Sequence, residues 1–173
     1  MNQPSMKIDL TKIPPEGKKI NFKLPVEWWK ADSGDDRIVG LEQSLSTSMR
    51  IYPAGKKMVV EGLISTRLLL RCDRCLEYYG WDLSAEFRIS VSLYPFQGEG
   101  EVELHEDDLN LDFTDGNLLD LDQVIREQLM LQVPLKTLCT PECRGLCSQC
   151  GHNLNISTCS CSSTDQQVLF SNQ

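Results

Sequence analysis

Residues 81–93 read Trp-Asp-Leu-Ser-Ala-Glu-Phe-Arg-Ile-Ser-Val-Ser-Leu, an uninterrupted alternation of apolar and polar side chains. Successive side chains of a β-strand point to opposite faces of the sheet, so this period of two places all the apolar residues on one face. A strand with one apolar and one polar face is typical of an antiparallel sheet that is buried on one side. The stretch therefore predicts a long strand of such a sheet.

Two earlier stretches repeat this alternation. Residues 45–52 alternate strictly, residues 53–56 form a predicted turn, and residues 58–70 then place apolar side chains on one parity. Gly62 interrupts that parity and marks a candidate bulge. Two shorter alternating runs precede them, at residues 6–10 and 20–24. The pattern as a whole predicts an antiparallel meander.

A helix is predicted to follow Asp120, which is a favourable N-cap residue. Gln123 stands three residues further on, as in a capping box. The apolar residues of this stretch share one helical face: Leu121, Val124, Ile125 and Leu129. Pro134 ends the helix because it lacks an N–H and restricts the residue before it. We expect the helix to cover the apolar face of the sheet.

Cysteine, glycine and asparagine replace the periodic apolar residues in about the last forty positions. Such a segment cannot build a core of its own and needs a covalent or metal staple. We predict an α+β fold, an antiparallel β-sheet meander covered by a helix, with a C-terminal cysteine-rich zinc-binding segment. The predicted divisions are 1–134 for the sheet and helix, 135–161 for the cysteine-rich zinc-knuckle segment packed on the hairpin tip, and 162–173 for a loose tail.

Eight cysteines carry the chemistry of the sequence: Cys72, Cys75, Cys139, Cys143, Cys147, Cys150, Cys159 and Cys161. Their number suits two sets of four, and two partitions are open. In the first, which chain geometry favours because it uses every thiol, the last four close a local site and the first four close another. In the rival partition, the pairs Cys72-x2-Cys75 and Cys147-x2-Cys150 form a single ribbon.

A structural metal explains these cysteines better than disulfides do. Residues 1–10 show no basic patch followed by an apolar run, so we expect no signal peptide, a cytoplasmic location and no membrane partner. A reducing cytoplasm disfavours disulfides, and four-thiolate sites suit Zn²⁺, so we expect one or two zinc ions. The alternative is a thiol- or zinc-dependent enzyme or redox protein that uses Cys72 and Cys75. That pair lacks the strand-to-helix setting usual for thiol-redox chemistry.

Charge is distributed unevenly along the chain. Residues 97–122 contain ten acidic residues and no lysine or arginine, so the rest of the chain carries +2 against a total of −8. An acidic segment attracts basic partners, but a solvated loop explains it better than a dedicated binding site does. Four arginines lie on or near the cysteine loops and are either candidate nucleic-acid contacts or solvated residues at strand edges: Arg67, Arg71, Arg74 and Arg144.

The cysteine loops resemble those of a known family. The matching residues are Cys72-x-Arg74-Cys75-Leu76 and the stretch from Val133 to Cys161, which contains Gly145-Leu-Cys-Ser-Gln-Cys-Gly151 and Asn153-Leu-Asn155. In these motifs the sequence is similar to the YceD family, described by its role in accumulation of large-subunit ribosomal RNA. The resemblance extends over about the C-terminal 100 residues.

The resemblance implies a non-enzymatic cytoplasmic protein that acts in ribosome biogenesis. It would promote synthesis, processing or accumulation of the large-subunit (23S) ribosomal RNA. The expected partner is ribosomal RNA or a basic ribosomal protein, with no small-molecule substrate. The arginines near the cysteine loops favour RNA, and the acidic segment 97–122 favours a protein.

Overall fold

The structure, a computed structural model, describes residues 6–29, 37–55, 57–92, 111–113 and 117–163. Short 3-10 turns cover Leu10–Lys12, Val26–Trp28 and Ser160–Ser163. The strands and the helix are β1 Lys7–Asp9, β2 Lys18–Leu24, β3 Ile38–Leu41, β4 Leu45–Ala54, β5 Lys57–Arg71, β6 Tyr78–Ser92, β7 Leu111–Phe113, β8 Leu118–Asp120 and α1 Leu121–Gln132. The predicted α+β architecture, an antiparallel sheet with a helix and a cysteine-rich C-terminal segment, is confirmed.

The central strand of the main sheet is β5. It pairs antiparallel with β6 along its whole length and with β4 over residues 57–65 on the other side. On that second side β3 continues where β4 ends, and β2 pairs with the outer edge of β4. The short β7 adds to β6 in parallel. Strands β4, β5 and β6 thus form the predicted meander, and β2 and β3 widen it.

Alternation in β6 sorts its side chains as the sequence predicts. Leu83, Ala85, Phe87 and Val91 are buried, whereas Asp82, Ser84, Glu86 and Arg88 on the opposite face are exposed. Trp81 and Ile89 are partly buried and pack against the same core. Leu93, the last residue of the predicted stretch, lies outside the described residues.

The predicted bulge at Gly62 is wrong. The register runs without a shift from Met49 through Gly62 to Phe87, and the irregularity of the sheet lies instead in β3, between Ile38 and Gly40. A Cβ atom at Gly62 would stand 2.6 Å from Cγ of Met49 and 3.0 Å from the ring of Phe87. Glycine is present there because two large neighbours fill the space of its side chain.

The helix α1 begins at the predicted cap. Oδ1 of Asp120 accepts hydrogen bonds from the backbone N–H groups of Asp122 at 3.0 Å and Gln123 at 3.4 Å. The reciprocal half of the capping box is replaced, because the Gln123 side chain donates to Glu127 instead. Ile125 and Leu129 are fully buried in the core that the helix shares with the sheet.

A small second sheet joins the N-terminal strand to the strand that precedes the helix. Strand β1 pairs antiparallel with β8, directly before the helix. Nearby, the guanidinium of Arg126 lies 4.3 Å from the ring centroid of Trp28 and donates to its carbonyl at 3.0 Å. Asp122 accepts from both the Trp28 indole and Arg126. These contacts fix the helix against the N-terminal segment.

Two predicted segments fall largely outside the described residues. Of the acidic segment 97–122, the structure describes only 111–113 and 117–122, and of the tail 162–173 only residues 162 and 163. The division of the chain at residues 134 and 161 stays a prediction. Within the described residues, no helix combines the length and apolar character that crossing a membrane requires.

Candidate metal centres

The eight thiols gather in two groups of four, and within each group all sulfur atoms lie within 4.8 Å of one another. The inner cluster consists of Cys72, Cys75, Cys139 and Cys143. The outer cluster consists of Cys147, Cys150, Cys159 and Cys161. This is the grouping that chain geometry favours, and the structure does not bring the two Cys-x2-Cys pairs together in a single ribbon.

The sulfur separations in the inner cluster match a tetrahedral metal site. Sγ of Cys72 lies 3.7 Å from Sγ of Cys143, and Sγ of Cys75 lies 3.7 Å from Sγ of Cys139. A zinc ion bonded at about 2.3 Å to four thiolates separates them by about 3.8 Å. A disulfide would require about 2.05 Å. The geometry and the all-sulfur donor set therefore fit a single ion such as Zn²⁺.

Both Cys-x2-Cys loops have the same backbone fold. The N–H of Leu76 donates to the carbonyl of Cys72 at 3.0 Å, and the N–H of Gly151 donates to that of Cys147 at 2.9 Å. The residue after each second cysteine is left-handed, with φ of 61° at Leu76 and 71° at Gly151. Glycine adopts this region without strain, whereas a leucine does so at a cost of about 1 kcal/mol or more.

Replacing Leu76 by glycine is expected to stabilise the metal-loaded protein by about 0.5 kcal/mol, because the left-handed strain is relieved. Little burial is lost, since the Leu76 side chain is 52% exposed. The matched variant Gly151→Ala introduces the same strain and should cost about 1 kcal/mol. Urea unfolding of both variants measures the two effects. A loss of stability in Leu76→Gly would contradict the strain at this position.

The inner cluster is attached to the end of the β5–β6 hairpin by a reciprocal set of hydrogen bonds. The N–H of Asp73 donates to the carbonyl of Thr137 at 2.8 Å, and the N–H of Thr137 donates to the Asp73 carboxylate at 2.7 Å. The Thr137 hydroxyl donates to the carbonyl of Arg71 at 2.7 Å and is fully buried. These contacts place the segment after the helix beside the hairpin end, so that Cys139 and Cys143 reach Cys72 and Cys75.

A second set of contacts links the two clusters. Arg74 donates through its guanidinium to the carbonyl of Cys143 at 2.8 Å, and its own carbonyl accepts from the N–H of Leu146 at 3.2 Å. Gly145, with φ of 74°, makes this approach possible, because a Cβ atom there would stand 3.0 Å from the Arg74 carbonyl oxygen. The chain between the inner and outer clusters therefore runs along the Cys72–Cys75 loop.

Asn155 lies between the clusters and contacts a ligand sulfur. Its amide Nδ2 is 3.3 Å from Sγ of Cys143, and its Oδ1 accepts from the N–H of Arg144 at 2.7 Å. Asn153 in turn accepts from Asn155 at 3.0 Å. Hydrogen bonds to a thiolate orient it and lower its basicity, so Asn155 supports the inner cluster from a loop that belongs to the outer one.

Within the inner cluster, the surroundings shift the thiol pKa values in opposite directions, so that some thiols are ionised more easily than others. Burial disfavours ionisation of Cys72, but hydrogen bonds from the backbone amides of Cys75, Cys139 and Arg74 outweigh it and lower the pKa of Cys72 to about 6. Burial and the neighbouring sulfurs, that of Cys143 foremost, raise the pKa of Cys139 to about 12. A divalent cation at the centre would replace the protons and offset the repulsion between neighbouring thiolates.

The thiol pKa values of the outer cluster are also shifted in opposite directions, but this cluster has more contact with solvent. Amide hydrogen bonds from Cys150 and Gln149 lower the pKa of Cys147 to about 7, and the sulfur of Cys150, with burial, raises the pKa of Cys161 to about 12. Cys150 is exposed and the other three are half-buried, whereas three of the four inner thiols are buried. A chelator should therefore reach the outer cluster first.

The four candidate nucleic-acid arginines differ in their surroundings. Arg67 lies over Gly80 and bridges two carboxylates, Glu42 at 2.8 Å and Asp82 at 2.5 Å. Arg74 and Arg144 are exposed beside the inner cluster, although Arg74 also holds the Cys143 carbonyl. Arg71 ends β5, where its N–H donates to the carbonyl of Arg37 at 3.0 Å.

Comparison with known proteins gives a consistent picture. Residues 60–171 match the family model described as large ribosomal RNA subunit accumulation protein YceD. The chain is 24% identical over 139 residues to a chloroplastic large ribosomal RNA subunit accumulation protein YCED homolog 1 of Arabidopsis thaliana, covering 68% of this chain and 43% of that protein. The protein of the same name from Zea mays is 27% identical over 137 residues, covering 65% of this chain and 47% of that protein.

A bacterial relative aligns over more of the chain. An uncharacterized protein of Mycobacterium leprae is 24% identical over 154 residues, covering 89% of this chain and 64% of that protein. The chain spans about half the length of the plant relatives it matches. No solved structure matches it significantly.

Proposed function

The chain belongs to the YceD family, and on that premise we propose that it is a non-enzymatic, zinc-stabilised factor which promotes accumulation of large-subunit ribosomal RNA. The family model and both plant relatives are named for that process. The matched region contains both cysteine clusters and all but the first three residues of the β5–β6 hairpin on which the inner cluster lies. The partner that fits this role is ribosomal RNA itself.

The inner cluster is the observation that supports zinc. Its four sulfurs have the spacing of ligands around one ion, and an iron–sulfur cluster would hold the cysteine sulfurs farther apart because its own atoms lie between them. Four thiolates saturate a tetrahedral ion, which is typical of structural rather than catalytic zinc. Cys72 is fully buried, which also argues against attack on a substrate. A stabilising role of the metal follows from both points.

Depletion and complementation test this function. In cells that depend on this chain, its depletion is expected to lower the ratio of large- to small-subunit ribosomal RNA. Wild-type protein and the control Ser148→Ala, an exposed position that is not a ligand, should restore the ratio. Cys72→Ser should not, because it removes a buried ligand. An unchanged ratio on depletion would contradict the proposed function.

A further inference from the structure

The solvent side of the main sheet carries rows of polar side chains across β2, β4, β5 and β6. Register places these residues side by side on the face opposite the buried core. We call this surface the basic face. Its three rows are Lys19–Arg50–Glu61–Arg88, Asn21–Ser48–Leu63–Glu86 and Lys23–Ser46–Ser65–Ser84.

The basic face is concave. The first two rows line a depression of about 810 Å³, with the backbone around Gly62 also in its lining. Its lining combines short polar side chains such as Ser48 and Asn21 with longer charged ones. Neighbouring strands lie about 4.8 Å apart, so the row from Lys19 to Arg88 spans about 14 Å. That width accommodates a single extended polymer strand.

The basic face carries unneutralised positive charge. Four cations face two carboxylates, an excess of two positive charges in a chain of net charge −8. The described residues place no carboxylate in salt-bridge contact with Lys19, Lys23 or Arg88. On the same side of the sheet, Arg67 is held by two carboxylates. Lys19, Lys23 and Arg88 are thus available to an anionic ligand, whereas Arg50 donates to the carbonyl of Glu16 at 3.3 Å and lies 5.0 Å from the ring centroid of Tyr52.

We propose that the basic face binds the phosphate backbone of single-stranded RNA, an inference that rests on the proposed function and deepens it. The cations supply charge complementarity to phosphates, and the serines and Asn21 offer hydrogen bonds to phosphate and ribose oxygens. Leu63, 42% exposed at the centre, offers an apolar contact for a base. Because most of these contacts are to phosphate and ribose, which every nucleotide carries, binding should be independent of sequence.

Anisotropy of a fluorescein-labelled 12-nucleotide oligouridylate, titrated with the metal-loaded full chain, tests this proposal. Reversing two cations in Lys19→Glu/Arg88→Glu should weaken binding about tenfold or more at 0.1 M salt. The control Lys12→Glu/Lys136→Glu makes the same change in net charge at exposed lysines outside the basic face and should alter binding about twofold or less. Far-UV circular dichroism verifies that both variants fold. Equal losses in both would overturn the proposal.

A gain of affinity is the sharper test, because structural damage cannot produce it. Glu61→Gln/Glu86→Gln removes both carboxylates from the basic face, and the glutamine at 61 can still accept the Tyr52 hydroxyl, which donates to Glu61 at 3.1 Å. Affinity for the oligouridylate should rise about threefold or more, with a steeper dependence on salt. Unchanged or weaker binding would overturn the proposal. So would binding of polyglutamate in preference to RNA by wild-type protein.

The outcome for the basic face can be separated from the outcome for the proposed function. If wild-type protein restores ribosomal RNA in depleted cells but does not bind the oligonucleotide, the basic-face proposal is overturned and the proposed function stands. If depletion leaves ribosomal RNA unchanged, the proposed function is contradicted, and the titration alone decides whether the basic face binds RNA. Support for both requires that Lys19→Glu/Arg88→Glu fails to restore ribosomal RNA while the control restores it.

Discussion

A Cys72→Ser variant is expected to unfold at a temperature about 10 °C below that of the wild-type protein, a loss of about 4 kcal/mol. Cys72 is fully buried directly after β5, and its sulfur belongs to the inner cluster. A serine hydroxyl cannot replace a thiolate at a soft metal site, so the loss of the Cys72 thiolate leaves three ligands around the ion. Thermal unfolding followed by circular dichroism measures the difference.

The outer cluster provides the matched comparison for this prediction. Cys150→Ser also removes one ligand, but Cys150 is exposed and lies in the outer loop, so we expect a loss of about 1–2 kcal/mol. Ser148→Ala, between Cys147 and Cys150 in the sequence, should leave the unfolding temperature unchanged. Equal effects of Cys72→Ser and Cys150→Ser would show that the inner cluster does not hold the C-terminal segment on the sheet.

The second large effect is expected at Gly62 in the centre of the sheet. Gly62→Val should destabilise the protein by about 3 kcal/mol, because the core has no room for the added side chain. A Cβ atom at position 62 would stand 2.6 Å from Cγ of Met49 and 3.0 Å from the ring of Phe87. Urea unfolding monitored by tryptophan fluorescence measures the change in the free energy of unfolding.

Gly40 in β3 is the control for Gly62→Val. No atom lies within 4 Å of a Cβ built there, and its backbone does not require glycine. Gly40→Val should therefore be neutral or slightly stabilising, since valine favours strands. If both valine variants lower the free energy of unfolding by the same amount, the effect would come from replacing any glycine in a strand. The packing argument for Gly62 would then be wrong.

Local patterns predicted the elements well because each carries its own signal. The period of two in residues 81–93 identified the buried face of β6, and Asp120 and Pro134 bracketed the helix at Leu121–Gln132. These signals act between residues near one another in the chain, so the sequence alone displays them.

Long-range pairings could not be predicted in the same way. Strands β1 and β8 pair although more than a hundred residues separate them in the sequence, and β7 joins β6 in parallel. Three-residue strands carry too little periodicity to specify a partner. At Gly62 the sequence suggested a bulge, because only the folded sheet shows Met49 and Phe87 filling the glycine's space.

At the metal centres the ligands were predictable and their supports were not. Cysteine spacing indicated the inner and outer groups, which the structure brings together. The contacts of Asp73 with Thr137, and of Asn155 with the Cys143 sulfur, join side chains to positions 12 or more residues away. Such contacts leave no pattern in sequence, although Asn155 did stand in the motif shared with the YceD family.

Hydrogen exchange after metal removal tests most directly whether sulfur–metal bonds replace a hydrophobic core in the C-terminal segment. After chelation with a thiol reductant present, amides of residues 135–161 should lose their protection, those around the outer cluster first, while amides of β4, β5 and β6 remain protected. Unchanged protection of residues 135–161 in the metal-free, reduced protein would contradict the account.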